Sequence, residues 1–487
     1  MQEPTTQSSF LSTRQGKLTL ALVCLAGFLD FIDTTIVNVA LPSIRRPLGF
    51  SEQSLQWVVS GYLLTYGGFL LLGGRAADLL GRRRLLVAGT SLFGFSSLIG
   101  GLAGSEGTLI ASRLMQGLGA AMMTPAGLSI LTTSFTEGTD RVKALGVWSG
   151  TIPLASAVGV LAGGLLSQGP GWRWVFFVNL PVCVGVIAGA RRILDADRPG
   201  AVKDIDVLGA ILPTASALTF VYALVNAPNV GWGSPRTIGE LAAAAALIGA
   251  FVINELRRSN PLFPLSIFRI KGLAAADATQ VIAQAGFLSL FFFITLYMQS
   301  VLHMSPIEAG AAYIPVTIGV GISSGVSTQL MPRIGSRPLI VAGTLIGAAG
   351  VFWLSRISAD GSYVADVLPG LVVMAFGLGA VFVGVQNAAN AGVPAEQAGL
   401  AAALISASAT LGGARGLAIL SAISTSRTHH LLAAHSSQPV ALTSGFGHAL
   451  LACSLLLAGA AVIATRTAST RGQQMPPAEP AALLDAA

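Results

Sequence analysis

Residues 29–44 read LDFIDTTIVNVALPSI, and this stretch decides how the chain is interpreted. Two carboxylates, Asp30 and Asp33, lie inside an apolar segment that is long enough to cross a membrane. A charged side chain at the bilayer centre costs about 2.5–3.5 kcal/mol on insertion scales, so it is retained where it serves a function. The i, i+3 spacing places both acids on one helix face. The pattern indicates a path for protons or cations.

The composition favours a membrane protein. The chain is 53% hydrophobic and only 10% charged, whereas soluble proteins carry about 25% charged residues. The net charge of +7 is spread among apolar spans, which argues against nucleic acid and favours contact with lipid headgroups. The sequence contains no evident nucleotide-binding loop, metal-ligand spacing or catalytic constellation. We therefore expect no enzyme activity, no cofactor and no metal.

A membrane-spanning helix needs about 20 apolar residues. Fourteen stretches qualify and predict an all-α membrane protein: 18–41, 54–73, 84–104, 107–132, 142–167, 172–190, 206–226, 238–256, 272–300, 306–330, 338–356, 364–388, 397–424 and 445–466. Pro42 is expected to end the first span, residues 425–444 to form a polar loop, and residues 467–487 to be a disordered tail.

Basic residues set the orientation. With the N-terminus inside, most Lys and Arg residues fall in inner segments, as in the Arg82–Arg84 turn. The positive-inside rule therefore predicts cytoplasmic N- and C-termini. Each additional or missing span would invert this bias downstream.

The chain contains an internal repeat. Residues 79–90 read LLGRRRLLVAGT and residues 333–344 read RIGSRPLIVAGT, each following an even-numbered span. An offset of eight spans predicts two six-helix halves separated by two inserted helices, an architecture typical of transporters. A chance likeness of two basic turns is the alternative. The expected domains are a cytoplasmic N-terminus (1–17), a first bundle (18–190), linkers with the insert (191–271), a second bundle (272–466) and the tail (467–487).

Three motifs resemble one family. IDTTIVNVALP (residues 32–42), GGRAADLLGRRR (73–84) and RLMQGLGAA (113–121) are similar to motifs of the fourteen-span drug:proton antiporters of the major facilitator superfamily, the EmrB/QacA-like group. The resemblance extends from about residue 18 to residue 466. It implies the major facilitator fold and export of small molecules by alternating access.

The resemblance assigns proton coupling to the acids of the first span. Asp33 occupies the family position and Asp30 is an additional acid. At about 1.5 Å per residue, Asp33 and Arg113 lie at similar depths in the membrane. A nearby cation stabilises the carboxylate, while burial favours its neutral form. Asp33 would take up a proton with Asp30 assisting; a permanent structural Asp33–Arg113 pair is the alternative.

The second motif implies a conformational latch that joins the halves on the cytoplasmic side. Its members are Gly74, Asp78, Gly81, Arg82 and Arg83. An ion pair that forms in one state and breaks in another can act as a switch. A plain positive-inside anchor explains the arginines but not the acid. The second copy of the motif has Pro332 in place of the acid.

Residues 146–166, GVWSGTIPLASAVGVLAGGLL, match the family's antiporter motif in part. The matching glycines are Gly146, Gly150, Gly159, Gly163 and Gly164. Val160 stands where the family usually has proline. Small-residue helix packing is the alternative explanation of these glycines.

The substrate site is expected near the membrane midplane, between the halves. The candidate lining residues are Gln56, Trp57, Tyr62, Met115, Gln116, Gln280, Gln284, Gln386, Asn387 and Arg415. Arg415 could contact a substrate or an acid, or could snorkel to the outer surface. Asp277 is expected to be solvated near the inner end of its span.

The sequence thus predicts a monomeric secondary transporter of the bacterial inner membrane that exports lipophilic or cationic compounds in exchange for protons. Its partners would be the small-molecule substrate, protons and membrane lipid, with no nucleic acid. An exporter of an endogenous metabolite, such as a self-made antibiotic, a siderophore or an amino acid, is the alternative function. A channel is disfavoured by the paired halves.

Overall fold

The protein is described here by a computed structural model. It describes residues 10–135, 139–194, 206–258, 261, 265–270, 272–391 and 398–469, and at some helical positions, Asp78 among them, the backbone alone. The described ranges contain helices, turns and bends, and no strand.

Seventeen α-helices are described. They are α1 (Arg14–Leu48), α2 (Glu52–Leu55), α3 (Trp57–Leu80), α4 (Arg82–Gly101), α5 (Glu106–Ser134), α6 (Thr139–Gln168), α7 (Trp174–Phe177), α8 (Asn179–Ile193), α9 (Val207–Val230), α10 (Pro235–Arg257), α11 (Leu273–Ser300), α12 (Pro306–Ala311), α13 (Ile314–Ile334), α14 (Ser336–Leu354), α15 (Leu368–Asn390), α16 (Ala398–Ala433) and α17 (Gln438–Ala464). We call α1 to α8 the N-half, α9 and α10 the insert, and α11 to α17 the C-half.

Thirteen of the spans in the described residues are long and apolar enough to cross a membrane. Leu154–Gln168, the apolar end of α6, is shorter, although α6 as a whole has 30 residues. The all-helical, polytopic fold predicted from the sequence is confirmed. The count of fourteen spans stays a prediction.

Two of the predicted span ends are wrong. α1 continues through Pro42 to Leu48, because membrane helices tolerate a proline where neighbouring helices and local adjustments satisfy the freed backbone group. α16 continues to Ala433, so most of the predicted polar loop at 425–444 is helical and only four residues separate α16 from α17. The predicted tail is described only to residue 469, and residues 195–205 of the first predicted linker lie outside the described residues.

The halves have matching internal packing. α1 packs on α6, and α3 and α4 pack on α5; in the C-half, α11 packs on α16, and α13 and α14 pack on α15. The halves meet where α3 contacts α16, α6 contacts α12 and α1 contacts α11. In the insert, α9 packs against both α3 and α16, and α10 packs on α9.

The sequence repeat corresponds to a repeated contact. Gly81 and Gly335 both have positive φ, at 104° and 82°, where a side chain would be strained. Arg83 NH2 donates to the carbonyl oxygen of Arg191 at the end of α8 (2.8 Å). Arg337 Nε and NH2 donate to the carbonyl oxygen of Thr467, just beyond α17 (2.9 and 2.8 Å). In each half, the arginine thus ties the turn to the end of the last helix of that half.

The halves are in close contact at the end of the bundle where α1 finishes, which we call the Leu48 end. Gln299 Nε2 donates to the carbonyl oxygen of Val39 (3.0 Å), joining α11 to α1. A Cβ placed on Gly164 would lie 2.7 Å from the carbonyl oxygen of Pro306. Backbone therefore meets backbone between the halves at this end.

Candidate functional site

Asp33 is the centre of a buried polar network. Its Oδ2 accepts from Arg113 NH1 at 2.6 Å, and the two side chains are 0% and 1% exposed. Its Oδ1 accepts from Gln116 Nε2 (2.8 Å) and from Asn179 Nδ2 (2.7 Å). These donors come from α5 and α8, so one carboxylate joins three helices of the N-half. The structure thus brings together Asp33 and Arg113, which the sequence analysis places at similar depths.

The partners of Arg113 hold it in one position. Its Nε donates to the carbonyl oxygen of Val58 (2.8 Å), and NH1 also donates to Gln116 Oε1 (2.7 Å). The guanidinium carbon lies 4.4 Å from the centre of the Tyr62 ring. Because the cation is fully buried, it depends on the charge of Asp33 for compensation.

Asp30 has a different environment. It is 2% exposed, and its Oδ2 accepts from Thr124 Oγ1 at 3.0 Å. Its Oδ1 accepts a hydrogen bond from the Tyr62 hydroxyl. Its hydrogen-bond partners are therefore neutral hydroxyl groups. The two acids, one turn apart on α1, are thus unlike: Asp33 has a cation, and Asp30 is held by neutral donors.

Tyr62 connects the two acids. Its hydroxyl binds Asp30, while its ring covers the guanidinium that binds Asp33. A change in the charge of Asp30 therefore acts on a residue in direct contact with the Arg113 network. Tyr62 and Gln116, predicted as substrate-lining residues, belong to this network in the structure.

The described members of the predicted latch have structural contacts. Gly81 provides the positive-φ turn between α3 and α4, and Arg83 binds the end of α8. Gly74 has room for a side chain, with its nearest neighbour at 3.8 Å; the close approach to α5 occurs at Gly73. Arg82 lies in the first turn of α4 and has interaction partners. The side chain of Asp78 lies outside the description, so the latch stays a prediction.

The antiporter-motif glycines bring α6 against its neighbours. Gly159 and Gly163 face α1, where an added Cβ would lie 2.8 Å from Thr35 Cβ and 2.9 Å from the carbonyl oxygen of Ile36. Gly164 faces α12 of the C-half. The backbone of Gly146 and Gly150 is helical. These contacts fit close helix packing.

The other predicted lining residues have varied surroundings. Gln56 is fully buried, and neither atom of its amide group has a hydrogen-bond partner among the described residues. Asn387 donates to a carbonyl oxygen of its own helix (2.8 Å). The remaining members differ in exposure: Trp57, Gln284 and Gln386 are half-buried, Gln280 is buried and Met115 is exposed.

Asp277 is not solvated as the sequence analysis expects. It is 8% exposed, and its Oδ2 accepts from Ser408 Oγ at 3.0 Å. The difference arises because α16 packs along α11 and covers the acid. No group of three or more His, Cys, Asp or Glu residues is placed to hold a metal ion in the described part of the chain.

The sequence analysis missed the polar partners of the acids. Asn179 and Ser97 complete the Asp33 network, with Gln116 Nε2 donating to Ser97 Oγ (2.9 Å). Thr124 completes the Asp30 site. Each is a polar residue within an apolar span, and this is the signal that could have identified them.

Comparison with known proteins assigns the class. The family model described as Major Facilitator Superfamily matches residues 23–417. The chain therefore belongs to the major facilitator superfamily and is a secondary transporter. It is 37% identical to the puromycin resistance protein pur8 of Streptomyces alboniger, over 88% of this chain and 86% of that protein. It is 36% identical to the cephamycin export protein CmcT of Amycolatopsis lactamdurans, over 93% and 92% of the two chains.

Solved structures agree with the fold. An auto-inhibited POT family peptide transporter superposes with a TM-score of 0.67 at 15% identity, covering 95% of this chain and 99% of that one. A bacterial homologue of the human lysosomal transporter Spinster, in an inward-facing unoccupied conformation, gives 0.64 at 16% identity, covering 93% and 97%.

Proposed function

We propose that this protein exports lipophilic or cationic antibiotics or other toxic compounds across the inner membrane of a bacterium in exchange for protons. The observation that carries the proposal is the pair of unlike acids on α1. The names of its relatives, which refer to antibiotic resistance and export, support the substrate class.

Asp30 is the acid that exchanges a proton for substrate. When protonated, it is neutral and remains hydrogen-bonded to Thr124 and Tyr62 without needing a counter-ion. When ionised, it is an uncompensated charge in a membrane span, which favours a bound cation. The same carboxylate can therefore hold a proton or a cationic drug, and its affinity for each is lowered by the other.

Asp33 keeps its charge through the cycle. Protonation of Asp33 would leave Arg113 buried without compensation, at a cost of about 3–5 kcal/mol. Asp33 and Arg113 thus position Tyr62, and through it Asp30. This reverses the order expected from the family resemblance, in which Asp33 exchanges the proton and Asp30 assists.

The distribution of basic residues supports cytoplasmic N- and C-termini. In that orientation the Leu48 end is the outer end, and the close contacts there correspond to a state closed to the outside. The latch at Asp78 would then act at the inner end and favour the opposite state. The transporter works as a monomer, since both halves of the fold lie in one chain.

Export of an antibiotic made by the same cell is the second candidate function. The name of one relative as a cephamycin export protein favours it. The two functions share one mechanism and differ only in the source of the compound. The breadth of a panel of transported compounds distinguishes them, because a dedicated exporter accepts one chemical family.

The test uses everted membrane vesicles energised to an acidic interior. Addition of ethidium or puromycin should release protons from wild-type vesicles and from vesicles with Asp360→Asn, a matched substitution at an exposed loop position. Asp30→Asn should abolish the release, and the purified variant protein should bind ethidium more weakly because the charge that holds the cation is gone. Drug-dependent proton release by Asp30→Asn at the wild-type rate would show that proton coupling does not depend on this acid.

A further inference from the structure

Arg415 is an intramembrane cation in the middle of α16. It lies about 17 Å along the helix axis from both Leu404, where the candidate span begins, and Arg427 near its other end. Because α16 extends to Ala433, a side chain at this position is too far from either surface to snorkel. Among the described residues, Arg415 has no hydrogen bond or ion pair.

The neighbours of α16 show which way this position faces. Gly412 and Gly416 approach Val281 and Ala285 of α11, with added Cβ atoms 2.6 and 2.2 Å from them. On another face, Thr410 and Leu411 approach α3 at Gly67. On a third face, Ser424 approaches α17, where a Cβ added to Gly445 would lie 2.7 Å from its carbonyl oxygen.

At roughly 100° per residue, position 415 falls between the faces directed at α3 and α11, and on the side opposite α17. The α3 contact joins the two halves, while α11 belongs to the same half as α16. A residue between these two faces is directed at the space enclosed by the halves, where major facilitator transporters hold substrate.

The depth of Arg415 matches that of the proton-exchange site. Gly67 of α3 lies beside Thr410 of α16, and the two helices run antiparallel. Along each helix axis, successive residues are about 1.5 Å apart. Five residues further towards the Leu48 end, α3 reaches Tyr62 and α16 reaches Arg415. The hydroxyl of Tyr62 binds Asp30. An acid site in the N-half and a cation in the C-half that has no partner among the described residues therefore lie at one level.

Among the described residues, α11 offers Arg415 no anionic side chain at its own level. Contacts between α11 and α16 keep one register: Ser408 binds Asp277, and Gly416 meets Ala285. Gln284 is therefore level with Arg415, and Asp277 lies about 10 Å deeper.

We propose that Arg415 binds a carboxylate of the transported compound. A planar guanidinium binds carboxylates through paired charge-assisted hydrogen bonds, and an intramembrane cation is stabilised by such a partner. A compound with an amine and a carboxylate would then bridge the halves, with the amine at Asp30 and the carboxylate at Arg415. This inference rests on the proposed export function and specifies an amphoteric substrate class.

The test compares two dyes that differ in one charge. Rhodamine B carries a free carboxylate and a cationic ring system, and its methyl ester is the cation alone. Binding to purified protein is measured by fluorescence anisotropy without a proton gradient. Wild-type protein should bind the acid more tightly than the ester. Arg415→Gln should weaken binding of the acid by about tenfold or more and leave binding of the ester unchanged within about twofold.

Two further variants complete the experiment. Arg415→Lys should retain part of the preference for the acid, because it keeps the charge but loses the planar fork. Arg427→Gln, on the same helix near the Leu48 end, should leave both affinities unchanged. A wild type with no preference for the acid, or an equal effect of Arg415→Gln on both dyes, would overturn the proposal. An equal effect would indicate a structural arginine that pairs with an acid such as Asp277 in another state.

Failure of this proposal can be distinguished from failure of the proposed export function. Proton release driven by ethidium, which has no carboxylate, depends on Asp30 and not on Arg415. Loss of dye discrimination together with intact ethidium-driven proton release would reject the carboxylate site alone.

Discussion

Replacement of Asp33 by asparagine should destabilise the protein far more than the same replacement at Asp30. Asp33 is the only charge-bearing partner of Arg113 among its described contacts, and the pair is almost fully buried at 2.6 Å. Breaking one side of a buried ion pair costs about 3–5 kcal/mol, because the remaining charge is uncompensated. At Asp30, an asparagine keeps an oxygen acceptor for a hydroxyl, so the expected cost is about 1 kcal/mol.

The assay is thermal unfolding of purified protein in detergent, followed by tryptophan fluorescence. Asp30→Asn should melt close to the wild type, and Asp33→Asn should melt several degrees lower. The double variant Asp33→Asn/Arg113→Gln should be more stable than Asp33→Asn alone, because it removes the uncompensated cation. Equal melting of the two single variants, or no recovery in the double variant, would refute the distinction between a structural and an exchanging acid.

Three further outcomes are expected. Gly73→Ala should lower the melting temperature, because its Cβ would lie 1.9 Å from a backbone oxygen of α5 and overpacking costs about 1–3 kcal/mol. Gly74→Ala should be tolerated. Equal melting temperatures of the two variants would contradict the packing of α3 on α5. Arg337→Gln should speed amide hydrogen exchange at the end of α17 and leave exchange in α1 unchanged, because two hydrogen bonds to the end of α17 are lost. An equal change in exchange rate in both helices would show that Arg337 does not stabilise the end of α17 locally. Cysteine introduced at Arg82 should react with impermeant thiol reagents only from inside, and cysteine at His435 only from outside; the reverse pattern would overturn the orientation.

The sequence predicts the helical fold and the similar depths of Asp33 and Arg113 because hydropathy and helix rise are local quantities, whereas only the family resemblance places their two spans near each other. It does not separate the roles of Asp33 and Asp30, since these depend on Asn179 and Thr124, which are distant in sequence and come together only when α8 and α5 pack on α1. Asp277 is similar: its distance from the end of its span suggests solvation, and only the register of α16 along α11 buries it.

The contact of Gly164 with Pro306 has a consequence for turnover. Main chain rests directly on main chain there, with no side chain from the glycine between the two halves. At this point, among the described residues, the two halves are held by close packing of the main chain and not by a hydrogen bond or an ion pair. Separating α6 from α12 there therefore breaks no such bond. A bulky residue at position 164 would keep the two halves apart at the Leu48 end. It would therefore favour the conformation that is open at that end, without altering the chemistry of Asp30 or Asp33.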